Sequence, residues 1–320
     1  MKKLATWLGL SLMAVFLLAA CGSGKDVSSA SGDNKDSGGK LKVVTSFTII
    51  ADMVRQIGGD YVEVHNLVPS GTDPHEYEPL PNDIKAATDA DVLLYNGLNL
   101  EGGEHGWFKK LTDSVHQKDE NIFNLTEHVE PMYLSGADGR DEEMNPHAFI
   151  DPGVGVKMAE DITRILKEKH PTDSDKIEKT GEEYIARLKE IDKEYEDRIN
   201  DIPEENRTLV TSERAFQYMA AHYGLKEAFI WEIDTEENGS PKQIKDLVHF
   251  IKEHKVPVLF VESNVDTRPM ETVSKETGVP IADKPIYSDE IGDPGEEIDT
   301  YVKYLNYNID LMHDEMSKKR

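Results

Sequence analysis

Apolar positions recur along this chain with two alternating periods. Residues 41–47 are β-rich, 49–57 carry helical spacing that ends at Gly58 and Gly59, and 61–68 alternates toward Pro69. A short helix is expected at 83–90, an apolar strand at 91–98 and a helix at 107–115. Met158, Ile162, Ile165 and Leu166 mark a further helix that stops before Pro171. Beyond residue 200 the alternation resumes, with strands at 207–211, 228–233 and 256–261 and an extended segment at 281–287. Helices are expected at 215–223, from the Ser240 cap and Pro241 onward, at 270–277 and at 300–316. Strands alternating with helices predict mainly parallel sheets on both sides of residue 200.

Between the two halves, residues 174–200 hold no proline and a single glycine, Gly181, amid Glu, Lys, Arg and Ala. Ile177, Tyr184, Leu188, Ile191, Tyr195 and Ile199 fall on one narrow stripe of a helix. An ordinary amphipathic surface helix would read the same way. Its position midway between two α/β halves points instead to a rigid strut joining two lobes, with a ligand between them. The expected division is a signal segment at 1–20, a tether at 21–40, a first lobe at 41–173, the strut at 174–201 and a second lobe at 202–320.

Lys2 and Lys3 precede an uncharged apolar run ending Leu18-Ala19-Ala20-Cys21. The run is almost long enough for a transmembrane anchor. Cys21, the chain's one cysteine, stands where a lipoprotein signal peptidase would leave it as the new N-terminus, so lipidation is expected. A diacylated Cys21 would hold the protein on the outer face of a membrane. Residues 22–40 are Gly, Ser, Asp, Asn and Lys with almost nothing to bury, a tether reaching on the order of 25 Å.

Charge narrows the partners. Sixty-two acidic residues face 36 basic ones, a balance that argues against nucleic acid and serves solubility.

Candidate chemistry lies at the expected carboxyl ends of strands, where open α/β sheets keep their ligand sites. Asp73-Pro74-His75 and Asn145-Pro146-His147 each present an imidazole directly after a proline, which leaves the backbone few alternatives. Such rigidity suits a metal ligand, although a turn histidine with a hydrogen-bonding role has the same local sequence. Glu213 follows a strand at a helix start, where a carboxylate can also serve the helix dipole, and Asp289 lies just beyond an extended segment. Tyr77, Phe149 and Phe216 flank these stretches and could shield an ion or belong to the core. The remaining histidines, His65 and His222 among them, lack a paired ligand motif.

With the lipobox, these stretches together with Asn96-Gly97-Leu98-Asn99-Leu100-Glu101, Ser212-Glu213-Arg214-Ala215-Phe216 and Tyr287-Ser288-Asp289 resemble the metal-binding lipoproteins of manganese and zinc ABC importers. The resemblance covers the whole chain after the tether. It implies two α/β lobes joined by a long helix, and an ion held between them by His75, His147, Glu213 and Asp289. It also implies a membrane permease and a cytoplasmic ATPase as separate chains, since no Walker motif occurs here. A monomer anchored to the cell membrane by lipid is expected.

Two imidazoles and two carboxylates form a harder donor set than three imidazoles, which favours Mn2+. Zinc-importing relatives typically place histidine where this chain has Glu213, and often add a histidine-rich loop; neither is present. Manganese is lowest in the Irving–Williams order, so Zn2+ should also bind, and Fe2+ suits the same ligands. A metal-dependent hydrolase and a surface adhesin are the alternatives from other classes. A hydrolase would need an open coordination position and further acid–base groups.

Overall fold

The computed structural model describes residues 39–134, 144–233 and 239–318. The expected signal segment, Cys21 and the tether up to residue 38 lie outside them.

The first sheet contains β1 (Leu41–Phe47), β2 (Val62–Val68), β3 (Val92–Tyr95) and β4 (Ile122–Asn124), all parallel, in the order β2-β1-β3-β4. Parallel neighbours need crossover connections, and helices supply them: α1 (Thr48–Gly58), α2 (Pro81–Asp89) and α3 (Trp107–Ser114). Both faces of the sheet are covered, which is why β1 buries six of its seven residues. The apolar strand expected at 91–98 ends at Tyr95, because Gly97, Leu98 and Asn99 turn through positive φ angles of 86°, 47° and 71°. The three-residue β4 has no counterpart in the expected pattern. Helix α4 (Pro152–Lys169) closes this lobe and is capped by Asp151, whose side chain accepts from Gly153 N.

The strut is α5 (Ser174–Asp201), 28 residues long and therefore about 42 Å from end to end. It buries the expected stripe, joined by Gly181. A Cβ at Gly181 would stand 2.4 Å from the Thr163 side chain, so this glycine lets α4 pack closely. Each fully buried stripe residue contributes roughly 1.5–3 kcal/mol as an upper estimate. The stripe belongs to one continuous core that also takes residues from both lobes. The helix is thus a packed spine against α1, α4 and α9 (Tyr301–Met316).

In the second lobe β5 (Thr208–Glu213) pairs in parallel with β6 (Lys226–Trp231), flanked by α6 (Gln217–Tyr223), α7 (Pro241–Glu253) and α8 (Arg268–Thr277). Residues 256–261, expected as a strand, form only isolated contacts. Phe260 N donates to Val210 O at 2.8 Å, and parallel bridges join Leu259 to Ile281 and Glu262 to Ile286. The two-residue alternation survives nonetheless. Val258 and Phe260 face the main core, while Leu259 and Val261 face a second core under α7 and α8.

Candidate metal centre

His75, His147 and Asp289 are presented by anchored loops and turns, and Glu213 by the end of a strand. His75 follows β2, and its N–H donates to Asp73 Oδ1 at 2.7 Å. Trp107 Nε1 donates to Pro74 O at 2.8 Å, and Tyr77 Oη donates to Asp83, which also accepts the Leu80 N–H at the start of α2.

His147 opens a short 3-10 turn ahead of α4. The Asn145 side chain governs it: Oδ1 accepts from His147 N at 3.0 Å and lies 2.9 Å from His147 Nδ1, while Nδ2 donates to Arg214 O at 2.8 Å. A carbonyl can only accept, so the atom facing Arg214 O must be the amide nitrogen and the one facing the imidazole must be oxygen. His147 Nδ1 therefore carries a proton, and Nε2 is the atom offered to an ion. The same amide ties the His147 loop to the Glu213 loop.

Glu213 ends β5. Asp289 is placed by α9: Asn308 exchanges hydrogen bonds with the backbone of Tyr287, and Tyr304 Oη donates to Ser288 O at 2.9 Å. Ser288 Oγ and Asn264 Nδ2 both donate to Asp289 Oδ2, at 3.1 and 3.3 Å. Oδ1 is left pointing at His147.

Ligand atoms of His75, His147 and Glu213 form one cluster, and Asp289 joins it through His147. His147 Nε2 lies 3.1 Å from Asp289 Oδ1 and 3.7 Å from Glu213 Oε1. One ligand atom each from His75, His147 and Glu213 fall within 4.8 Å of one another, and the two imidazole centroids are 5.3 Å apart. Metal bonds of about 2.0–2.2 Å place neighbouring donors roughly 3–4 Å apart, the range of both His147 contacts. His147, Glu213 and Asp289 are buried and His75 is half-buried, yet among the described residues the buried Nε2 of His75 has no hydrogen-bond partner. A buried polar atom without a partner is costly, and a coordinated cation would satisfy it.

Electrostatics agree with that reading. Burial and the neighbouring His147 push the His75 imidazole below its usual range, toward the neutral form a metal needs. Burial opposes charge on Asp289, but His147, His75 and the Asn264 amide hold its carboxyl down at about 2. The adjacent cation, Arg214, is drawn away by Glu227 at 2.6 Å and Glu232 at 3.1 Å and lies over Phe229.

The second grouping of ligand-type atoms, Asp151, Asp192 and His222, already has local work. Asp151 caps α4 and pairs with His222 Nδ1 at 2.9 Å, and Tyr223 Oη donates to Asp192. Of the flanking aromatics, Phe149 and Phe216 are core residues, and Phe149 lies 6.0 Å from the His147 ring. Sequence reading assigned no part to Asn145, Asn264 or Glu262. Glu262 carried one visible signal, a charge ending an apolar run.

The manganese ABC transporter substrate-binding lipoprotein PsaA of Streptococcus pneumoniae is 44% identical over 319 residues, covering 99% of this chain and 100% of that one. The metal ABC transporter substrate-binding lipoprotein SsaB of Streptococcus sanguinis has the same identity and coverage. Among solved structures, the periplasmic zinc-binding protein TroA of Treponema pallidum superposes with a TM-score of 0.78 at 26% identity, covering 88% of this chain and 100% of that one. A manganese-bound periplasmic metal-binding protein from Candidatus Liberibacter asiaticus gives 0.75 at 26% identity, covering 87% and 100%. Residues 43–315 match the family described as zinc-uptake complex component A, periplasmic, and the chain belongs to this family of solute-binding proteins of metal ABC importers, which are not enzymes.

Proposed function

We propose that this protein captures Mn2+ outside the membrane through His75, His147, Glu213 and Asp289 and hands it to the permease of an ABC importer powered by a separate cytoplasmic ATPase. The observation that supports this reading is the clustering of His75, His147 and Glu213 ligand atoms within 4.8 Å of one another, with Asp289 Oδ1 3.1 Å from His147 Nε2. Family membership supports the importer role over a hydrolase or an adhesin. The ion is cargo, so it must be held tightly and still be released.

Manganese is favoured by the two carboxylate donors and by relatives whose names specify manganese. Zn2+ and Fe2+ fit the same donors. In the same proposal, residues 1–20 are a signal segment, Cys21 is lipidated and 21–40 tether a monomer to the extracytoplasmic face of the cell membrane. The ion then lies between lobes at 41–173 and 202–320, joined by the helix at 174–201.

The test is elemental analysis of stripped protein offered equimolar Mn2+, Zn2+ and Fe2+, alongside Glu213→His. One equivalent of metal with substantial manganese, replaced by zinc in the variant, is the expected result. An unchanged Mn/Zn ratio would remove the hardness argument.

A further inference from the structure

Among the described residues, each lobe contains one buried glutamate that makes the same contact. Glu262, 2% exposed, accepts Glu213 N at 2.8 Å through Oε1 and Ser212 N at 3.1 Å through Oε2. Glu101, 3% exposed, accepts Asn96 N at 2.7 Å through Oε1 and Gly97 N at 3.1 Å through Oε2. In both cases one carboxylate spans two consecutive N–H groups where a strand ends, on β5 and just after β3.

The sheet explains why a side chain is needed there. The neighbour of β5 contributes its backbone bond at Phe260 N to Val210 O, and beyond that point the N–H groups of Ser212 and Glu213 meet the Glu262 carboxylate. The side chain takes the place of strand carbonyls. Each clamp then leads to a ligand of the centre. Glu262 holds the backbone of Glu213 itself. Glu101 holds Asn96, whose Nδ2 donates to Pro146 O at 3.0 Å, and Pro146 directly precedes His147. Thr126 Oγ1 fixes the Asn96 carbonyl at 2.6 Å, so that link has little freedom.

We propose that Glu262 and Glu101 are paired positioning residues for metal capture, each holding the strand end that sets one ligand in its lobe. The proposal rests on the four-ligand reading above. It also explains the residue type. Two N–H donors need two acceptors; both oxygens of a carboxyl group keep a lone pair whether or not it is protonated, whereas the NH2 of glutamine offers none. Burying a carboxylate is weak as a device for stability alone, whereas holding a ligand in place improves affinity by preorganisation.

A double-mutant cycle read by Zn2+ affinity, in competition with a chromophoric chelator, tests this on the purified protein. Zn2+ is the probe because it should remain measurable when one ligand is lost. Glu262→Gln should weaken Zn2+ binding about 10- to 100-fold in the wild-type background, and less than about threefold once Glu213→Ala has removed the ligand it positions. A purely structural glutamate would cause the same loss in both backgrounds. Wild-type affinity in Glu262→Gln, or losses that multiply in the double variant, would overturn the proposal. If Glu262→Gln fails to fold, the same cycle with Glu101→Gln and His147→Ala decides the question, and failure of both glutamine variants to fold would overturn the assignment. Wild-type affinity in Glu213→Ala and Asp289→Asn would instead remove the four-ligand reading itself.

Discussion

Asn145→Ala is the most informative single change near the centre, because one amide has three buried tasks. The variant loses the acceptor for His147 N, the partner of His147 Nδ1 and the donor to Arg214 O, at 3.0, 2.9 and 2.8 Å. Leaving such groups unpaired costs about 1–3 kcal/mol each where water cannot reach them. Water filling the vacated volume would recover part of this, so a loss of about 2–5 kcal/mol in apo stability is expected. Metal affinity suffers separately. Without the Asn145 oxygen the imidazole is free to rotate or to place its proton on Nε2, and losing a group that orients a metal ligand typically weakens binding about 10- to 100-fold. Asn145→Asp separates the two effects, since it keeps an acceptor for Nδ1 while setting a carboxylate oxygen against Arg214 O. It should lose stability but hold the ion within about tenfold of wild type, at roughly 1.4 kcal/mol per tenfold. Chelator-competition titration with Mn2+ measures the affinity, and thermal unfolding of the apo protein measures the stability. Wild-type affinity in a folded Asn145→Ala would refute the orienting role.

Three further outcomes are expected. Asp289→Asn should lose most Mn2+ affinity while its far-UV circular dichroism stays near wild type, and undiminished binding would take Asp289 out of the centre. Burial pushes the Glu101 carboxyl up from 4.5 to about 7, so the folded state keeps a proton that the unfolded chain has released. Its contribution is present below pH 4.5 and is lost as pH rises through about 7, on the order of 3 kcal/mol at most; apo Glu101→Gln should therefore show a flatter fall in stability over that window, and superimposable pH profiles would contradict it. Cys21→Ala should release the protein from cells or leave it unprocessed, and a variant still held at the membrane through lipid would end the lipobox reading.

Legibility in the sequence followed the range of the interactions. The α5 stripe depends on spacing within one helix, and its apolar members are the expected residues; Gly181 joined them for a reason that lies on α4. The strand β4 is three residues of Ile, Phe and Asn, too short for a period to show. Residues 256–261 kept strand alternation without a continuous ladder, because alternation reports two buried faces and not hydrogen bonding. His75 and His147 were visible through the prolines before them, and Glu213 and Asp289 gained meaning only beside those histidines. Glu262 was hidden because its partners lie 49 and 50 residues away. The bond from Asn145 to Arg214, 69 residues apart, exists only once the two lobes have packed.

One ion held by His75, His147, Glu213 and Asp289 together is the core of the proposed function. A crystal structure of the manganese-loaded protein, with anomalous scattering recorded on both sides of the manganese edge, tests it most directly. One strong peak is expected within about 2.0–2.3 Å of both histidine Nε2 atoms and of an oxygen from each carboxylate. A peak elsewhere, or one lacking any of the four as a ligand, would contradict it.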